Sequence, residues 1–197
     1  PRSHGRLCAL CFAYAGAPYR AWLGALEHER SAPVSVWLCG LSSQTGVTLT
    51  ERAHRPGLHF ADLPFVSQPD FDRLLWAADL AIVRGEDSLA RALWSGRPFI
   101  WNIYPQAQAA HHPKLEAWLG VYTDGFPPAL RDAYVAAHRA WNGIIPADAL
   151  GSAWSSLMRQ WPAWQAHSRS RSADFAKNGD LVSRLMRFVE AAPIRVK

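Results

Sequence analysis

A short polar segment between two apolar runs carries residue types that could bind a phosphate. The apolar run 80–83 is followed by Arg84-Gly85-Glu86-Asp87-Ser88, after which residues 89–94 have helical spacing. Where a parallel strand turns into a helix, the first backbone N–H groups of the helix lack internal partners and carry partial positive charge. Such a helix start accepts phosphate, and Ser88 and Arg84 would add a hydroxyl and a guanidinium. The segment therefore predicts a diphosphate site.

The same segment also has a purely structural explanation. Glu86, Asp87 and Ser88 are residues that cap a helix and complement its dipole without any ligand. The capping hypothesis explains the acids, whereas the ligand hypothesis explains the open strand end, where parallel sheets bind their ligands. Arg91, one turn further on, is a second candidate cation for the phosphate oxygens. The local sequence leaves both hypotheses open.

These residues need a layered framework to position them. Residues 7–14 and 33–39 are short apolar runs bounded by turn residues, and residues 19–28 between them have helical spacing. Such a strand-helix-strand unit closes with parallel strands, so we expect an α/β fold with a Rossmann-like parallel sheet flanked by helices. Further candidate elements are strands at 58–60, 80–83 and 98–103, a helix at 70–78, and an ambiguous segment at 48–53.

Beyond residue 106 the strand pattern stops. Helical spacing predicts helices at 109–119, 129–141, 149–160 and 181–191, with residues 123–128 as a loop. The chain has 197 residues, of which 49% are hydrophobic and 19% charged, and this composition suits one globular domain. We therefore predict a single domain over 1–197, mostly α/β sheet in 1–106 and mostly helical in 107–197.

Composition argues against several classes of protein. The net charge is +5, but the basic residues are mostly scattered, so we expect no nucleic-acid partner. No apolar stretch approaches the roughly 20 residues of a membrane span, and the N-terminus lacks the order of a signal peptide, so a cytoplasmic protein is expected.

Cys8 and Cys11 would point to opposite faces of a strand, which predicts structural thiols. His111 and His112 would lie about 100° apart on a helix, and no metal site is predicted.

A longer stretch around the polar segment resembles the signature of one enzyme family. The matching residues are Arg84-Gly85-Glu86-Asp87-Ser88, Arg91, Trp94, Gly96, Pro98-Phe99, Trp101 and Ile103-Tyr104-Pro105-Gln106, with softer support from Phe12-Ala13-Tyr14 and Leu63-Pro64-Phe65-Val66-Ser67-Gln68. They look like the protein-arginine rhamnosyltransferases of elongation factor P, the EarP family. That family has two Rossmann-like domains facing across a cleft, the arrangement called GT-B. The chain resembles only the C-terminal, donor-binding domain, so the resemblance implies that an N-terminal acceptor domain is absent.

The resemblance also implies a reaction. These enzymes transfer L-rhamnose from dTDP-β-L-rhamnose to an arginine side chain of elongation factor P, with inversion. A guanidinium is a poor nucleophile because its pKa exceeds about 12, so carboxylates must orient it and remove a proton. The family's proposed base belongs to the N-terminal domain, so this domain is expected to bind donor without transferring it. No cofactor or metal is expected, because arginine, hydroxyls and amides would neutralise the leaving diphosphate.

The roles of individual residues follow from the same resemblance. Phe65 would stack on the thymine and Gln68 would hydrogen-bond to its edge. Tyr14 and Tyr104 would meet the donor from opposite sides of the site. Arg84, Asp87 and Ser88 would contact the diphosphate or the sugar, and Glu86 would be the catalytic carboxylate.

Other interpretations of these residues remain open. Phe65, which lies beside Leu63 and Val66 in the sequence, could instead pack in the core. Tyr14 and Tyr104 could instead be ordinary exposed tyrosines at strand ends. A different GT-B nucleotide-sugar transferase is one alternative function. A non-catalytic nucleotide-binding or interaction module is another.

Overall fold

Five parallel strands form one sheet in the order β3-β2-β1-β4-β5. A computed structural model describes residues 6–28, 33–40, 48–177 and 179–191. The strands are β1 (Leu7–Cys11), β2 (Val34–Cys39), β3 (Leu58–Leu63), β4 (Leu80–Arg84) and β5 (Phe99–Asn102). The order reverses between β1 and β4, and open α/β sheets bind ligands at such a switch point, beyond the carboxyl ends of the strands. The predicted Rossmann-like α/β sheet is confirmed.

Helices connect the strands and then continue alone. The connecting helices are α1 (Tyr19–His28), α2 (Leu49–Ala53), α3 (Gln68–Ala77) and α4 (Gly85–Ser95). After the last strand come α5 (His112–Tyr122), α6 (Pro128–Trp141), α7 (Ala149–Arg159), α8 (Trp161–Lys177) and α9 (Leu181–Ala191). The described strands thus all precede residue 106, as the sequence predicts. None of the described helices is long and apolar enough to cross a bilayer.

The central strands are buried because helices pack on the sheet. All four residues of β5 and the first four of β4 are buried, which explains why these strands are continuous apolar runs. Large aromatic side chains fill the layer between the sheet and the helices that follow it. The ring of Trp22 lies edge-on to those of Trp141 and Trp154, at centroid distances of 5.8 and 6.1 Å. Much of the unusual tryptophan content therefore serves the core.

Side chains of α6 take the place of a further strand beside β5. His138 Nε2 accepts the Trp101 N–H at 3.1 Å, and its Nδ1 lies 3.0 Å from the carbonyl oxygen of Tyr134. Asn142 accepts the Ile103 N–H at 3.0 Å and donates to the Trp101 carbonyl at 2.9 Å. Because buried backbone groups need partners, these bonds stabilise the edge of the sheet next to the carboxyl ends of its strands.

Several predicted boundaries are wrong. The predicted turn at 84–88 is instead the end of β4 and the first turn of α4, because Gly85, at φ 66°, reverses the chain within one residue. The ambiguous segment is helix α2, which begins with a capping box between Thr48 and Glu51. Helix α5 begins at 112 rather than 109, after a short 3₁₀ turn.

Two further features concern the cysteines and the C-terminal helices. Cys11 is buried and Cys8 is half-buried, and no disulfide joins the cysteines that the structure describes. Helix α8 contains a short alternation of serine and arginine at residues 168–172, and it has no counterpart among the predicted helices. None of the residues of α9 is buried.

Candidate functional site

The carboxyl edge of the sheet gathers the predicted site residues. Tyr14 follows β1, Phe65 follows β3, Arg84 ends β4 and Tyr104 follows β5. Because parallel strands all end at the same edge, residues up to 90 positions apart along the chain meet there. Two cavities open at this edge, named here the Phe65 cavity and the Tyr14 cavity.

The Phe65 cavity has a volume of about 200 Å³. Its lining residues are Phe12, Cys39, Gly40, Pro64, Phe65, Val66, Gln68, Phe71, Asp87, Ser88 and Arg91. It therefore joins four predicted donor-binding residues, namely Phe65, Gln68, Asp87 and Ser88. Ser88 is buried in its wall, whereas Gln68 and Asp87 are exposed.

Phe65 is not a core residue, because 79% of its surface is exposed. Its ring lies against the backbone at Gly40, where an added Cβ would be 3.2 Å from the nearest ring carbon. Gly40 also has a φ of 60°, a conformation that favours glycine. The end of β2 thus holds an exposed ring at the mouth of the cavity, and the core-packing alternative is wrong.

Helix α4 begins at this edge without a side-chain cap. Its N-cap residue is Arg84, whose side chain makes no capping hydrogen bond. Asp87 pairs with Arg91 at 2.8 Å, and Glu86 pairs with Lys114 at 2.6 Å. No side chain caps α4 at its N-cap, so backbone N–H groups there are able to bind an anion, whereas Glu86 and Asp87 in the first turn still complement the helix dipole, as the structural alternative expects.

The two candidate arginines differ in their partners. The guanidinium of Arg84 lies over the ring of Phe12 at 4.3 Å and that of Tyr14 at 5.0 Å, its Nη1 donates to the Ala13 carbonyl at 3.5 Å, and within the described ranges it forms no salt bridge. Arg91 instead donates to both carboxylate oxygens of Asp72 at 2.9 Å and to Asp87. The charge of Arg84 is therefore available to a ligand, whereas that of Arg91 is already neutralised.

Glu86 has a partner that the sequence does not indicate. The ammonium of Lys114, in the first turn of α5, donates to its carboxylate, and this hydrogen bond is the main reason that the pKa of Glu86 lies below its ordinary value. Both side chains are exposed. Lys114 is 28 positions away along the chain, so no local pattern could have linked it to Glu86.

The Tyr14 cavity lies beside the second pair of predicted residues. It has a volume of about 360 Å³, and its walls include Tyr14, Asn102, His111 and Asn142. The rings of Tyr14 and Tyr104 meet edge-on at 5.4 Å, and the Tyr14 N–H donates to Asn102 Oδ1 at 2.8 Å. Burial raises the pKa of the Tyr14 hydroxyl, so it stays protonated and able to donate. Sequence reasoning missed Asn102 and Asn142, because isolated polar residues carry no periodic signal, and it considered His111 only as a metal ligand.

The described part of the chain contains no group of three or more His, Cys, Asp or Glu side chains that could hold a metal ion. The chemistry on offer at this edge is instead hydrogen bonding, ring stacking and charge. An exposed ring, an uncapped helix start, hydroxyls and one available guanidinium together suit a nucleoside diphosphate.

Comparison with known proteins matches the chain to one enzyme family. The model of the family described as "Elongation-Factor P (EF-P) rhamnosyltransferase EarP" matches residues 1–190. The protein-arginine rhamnosyltransferase of Pseudomonas putida is 38% identical over 192 residues, which cover 93% of this chain and 50% of that protein. The enzyme of the same name from Pseudomonas aeruginosa is 36% identical over 195 residues, with the same coverage.

A solved structure agrees with these relatives. It is described as "Structural basis for EarP-mediated arginine glycosylation of translation elongation factor EF-P", and it matches with a TM-score of 0.80 at 32% identity. The match covers 98% of this chain and 63% of that one. The chain spans about half the length of the curated relatives that it matches. The chain therefore belongs to the EarP family of elongation factor P rhamnosyltransferases.

Proposed function

We propose that this chain is the donor-binding half of an inverting GT-B glycosyltransferase that transfers L-rhamnose from dTDP-β-L-rhamnose to an arginine side chain of elongation factor P. The observation that carries the proposal is that three groups able to bind a nucleoside diphosphate lie along one edge of the sheet. The exposed Phe65 ring comes first, then the uncapped start of α4, then Arg84. Because the acceptor is a translation factor, the proposed location is the cytoplasm.

The nucleoside would occupy the Phe65 cavity. A flat base stacks on a flat ring, and the Phe65 ring is both exposed and held in place by Gly40. Gln68 lines the same cavity, and its amide offers a donor and an acceptor, which match the acceptor and donor on the pairing edge of thymine. Together these two residues would suit thymine or uracil, and the apolar wall of the cavity would favour the 5-methyl group of thymine.

The diphosphate would lie on the start of α4. Backbone N–H groups of that turn, the hydroxyl of Ser88 and the guanidinium of Arg84 supply donors to its oxygens. Tyr104 and Tyr14 would add their hydroxyls from the side of β5 and β1. Asp87 shares Arg91 with Asp72 and therefore keeps part of its negative charge, so it would accept a hydrogen bond from a hydroxyl of the ribose or the sugar rather than lie against the phosphates.

Transfer would take place on the solvent-facing side of these donor-binding groups. A guanidinium nitrogen of the acceptor attacks the anomeric carbon, the bond from that carbon to the phosphate oxygen breaks, and dTDP leaves with the electron pair. The guanidinium proton passes to a carboxylate that the other half of the protein would supply. Glu86 would orient the guanidinium, and Lys114, which donates to the Glu86 carboxylate, would offset its negative charge beside the diphosphate.

Calorimetric titration of this chain tests the donor proposal. We expect dTDP to bind clearly more tightly than UDP, because the 5-methyl group of thymine, which uracil lacks, would contact the apolar wall of the Phe65 cavity. Equal binding of the two would favour a transferase with another donor. No binding of either nucleotide would favour a non-catalytic interaction module and would overturn the proposal.

A second test concerns the half of the protein that this chain does not span. The chain alone, incubated with dTDP-rhamnose and elongation factor P, should leave the acceptor's mass unchanged. The full-length protein should add one rhamnose to one arginine. Transfer by the chain alone would contradict the assignment of the base to the other half.

A further inference from the structure

The helix that carries Lys114 does not explain the charge of this residue. Lys114 lies in the first turn of α5, and the start of a helix has a partial positive charge that disfavours a cation. That turn contains no acidic residue. The Lys114 ammonium instead donates to Glu86 Oε1 at 2.6 Å, in the first turn of α4. The pair therefore joins the starts of two helices across 28 positions of the chain.

Folding stability is a weak reason for this pair. The side chains of Lys114 and Glu86 are 55% and 64% exposed. An exposed ion pair gains little Coulomb energy and restricts two long side chains, so it contributes little to the free energy of folding. A similar pair joins Lys177 to Asp174 at 2.8 Å on α8, outside both cavities. The pair at Glu86 differs in that its acid is the proposed catalytic carboxylate.

The buried ring of Trp101 contacts both ends of the pair. Its Nε1–H donates to the Gly85 carbonyl at 2.9 Å, which fixes the backbone next to Glu86. The Lys114 ammonium lies over the same ring, 6.0 Å from its centre, at the limit of a cation–π contact. One rigid side chain of β5 thus helps to position both the backbone that carries the acid and the cation that pairs with it.

The start of α5 is anchored to the segment that follows β5. His111, which directly precedes the helix, is buried, and its Nδ1 accepts the Gln106 N–H at 3.1 Å. Between these two residues, Gln108 and Ala109 adopt positive φ angles of 54° and 57°, which are uncommon for residues with a Cβ. Lys114 therefore extends from a fixed helix start towards Glu86.

The hydrogen bond from Lys114 limits how the Glu86 carboxylate can turn. Lys114 donates to Oε1, and the backbone N–H of Glu86 is a second donor to the carboxylate. A carboxylate offers about four acceptor positions, so others remain for a guanidinium. An orienting group must be held close to its productive geometry, because a displacement of about 1 Å can cost about 100-fold in rate.

We propose, resting on the function proposed above, that Lys114 is a positioning residue for transfer: it holds the Glu86 carboxylate in the orientation that receives the acceptor guanidinium. Lys114 acts in this role through Glu86 and does not contact the substrate. Trp101 supports it by contacting both the Gly85 carbonyl and the ammonium. This role predicts a loss of turnover that is larger than the loss of substrate affinity.

The test measures rhamnose transfer to elongation factor P by the full-length protein at saturating dTDP-rhamnose. Lys114→Met keeps a long side chain and removes its charge. We expect the turnover number to fall about 10- to 100-fold, the range for a displaced orienting group, and the KM for the donor to change much less. Lys114→Arg, which can still donate to the carboxylate, should recover part of the loss. Lys177→Met, which breaks the matched pair on α8, should leave turnover unchanged.

A double variant separates positioning from direct contact with the substrate. In a Glu86→Gln background the carboxylate is absent, so Lys114→Met should lower turnover little further, and the two losses should not add. Urea unfolding of Lys114→Met should match that of the unaltered protein, because the pair is exposed.

Three results would overturn the inference while leaving the proposed function intact. Normal turnover of Lys114→Met would make the pair an ordinary surface salt bridge. The same fractional loss from Lys114→Met with and without the Glu86 carboxylate would show that Lys114 acts on the substrate directly. A loss that Lys114→Arg does not recover would assign the effect to the lysine stem rather than to the charge. Absence of transfer by the unaltered full-length protein would instead overturn the proposed function, and this inference with it.

Discussion

Phe65 and Glu86 lie at the same sheet edge and depend on different neighbours. Phe65 exposes a large ring to solvent and is held there by the absence of a side chain at Gly40. Glu86 is an acid beside a proposed anion site, and its hydrogen bond from Lys114 lowers its pKa and offsets its charge. In both cases the sequence shows the residue type. The neighbour that contacts the ring or pairs with the acid belongs to another part of the fold.

Phe65→Ala should weaken binding of dTDP by about 1 to 3 kcal/mol, the range for losing one ring that stacks on a base. The free energy of unfolding should hardly change, because the ring is mostly exposed. Calorimetry measures the affinity, and Phe188→Ala on α9, another exposed phenylalanine, is the matched control. An affinity equal to that of the unaltered chain would refute the proposed base site.

Glu86→Gln in the full-length protein should leave donor affinity near normal and lower the turnover number sharply. Glutamine keeps the size of the side chain but cannot neutralise or orient the incoming guanidinium. Mass spectrometry of elongation factor P over time measures the rate, and Glu190→Gln on α9 controls for the loss of a surface charge. Rhamnose transfer at the normal rate would remove Glu86 from the catalytic machinery.

At the scale of the element, α4 connects the fold to the site. Strand β4 ends at Arg84 and the helix begins at Gly85, so the chain has no loop between them. The reversal depends on the φ of 66° at Gly85, and the Trp101 Nε1–H donates to the Gly85 carbonyl at 2.9 Å. Strand β5 thereby helps to hold the start of the helix, where the diphosphate is proposed to bind.

Gly85→Ala should destabilise the fold by about 1 to 2 kcal/mol, the cost of a left-handed conformation for a residue with a Cβ. The new Cβ would also lie 3.4 Å from the Tyr14 hydroxyl, so we expect weaker dTDP binding as well. Urea unfolding and calorimetry measure the two effects. The matched control is Gly151→Ala within α7, where a Cβ meets nothing within 4 Å and helix propensity should stabilise the chain slightly. Equal responses of the two variants would contradict a special role for Gly85.

At the scale of the whole molecule, the helical half completes the sheet that carries the site. Helix α6 supplies His138 and Asn142 to the backbone of β5 and its extension, and α1 packs against α7 on the same side. His138 is fully buried, and desolvation lowers its pKa to about 4 from an ordinary value of 6.5. Its neutral ring therefore couples the stability of the fold to pH.

The free energy of unfolding should fall as the pH drops from about 6.5 to about 4. In this window the unfolded chain binds a proton at His138 that the folded chain does not, so protonation favours unfolding. The loss should amount to about 3 kcal/mol at most, from a pKa difference of about 2.5 units. Urea unfolding at several pH values measures it, and His138→Gln should be less stable at pH 7 and show a shallower dependence. The same slope in both proteins would assign the pH dependence to other groups.

The sequence by itself determined the class of fold and the family, and it singled out the segment that forms the candidate site. Apolar runs separated by helical spacing predict a parallel sheet, and the segment from Arg84 to Gln106 is dense enough to indicate the family. Both signals are local, because strand and helix periodicities and a contiguous motif involve near neighbours in the chain. The same locality explains the errors. Glu86, Asp87 and Ser88 favour a cap or turn, whereas Gly85 alone makes the turn.

Only the tertiary structure decided which groups are available to a ligand. Arg91 is neutralised by Asp72 across 19 positions, Glu86 meets Lys114 across 28, and Trp101 meets His138 across 37. Such contacts depend on how helices pack at the edge of a sheet, and no spacing within one segment encodes them. The available guanidinium of Arg84 and the two cavities at this edge therefore became visible only when the strand ends came together.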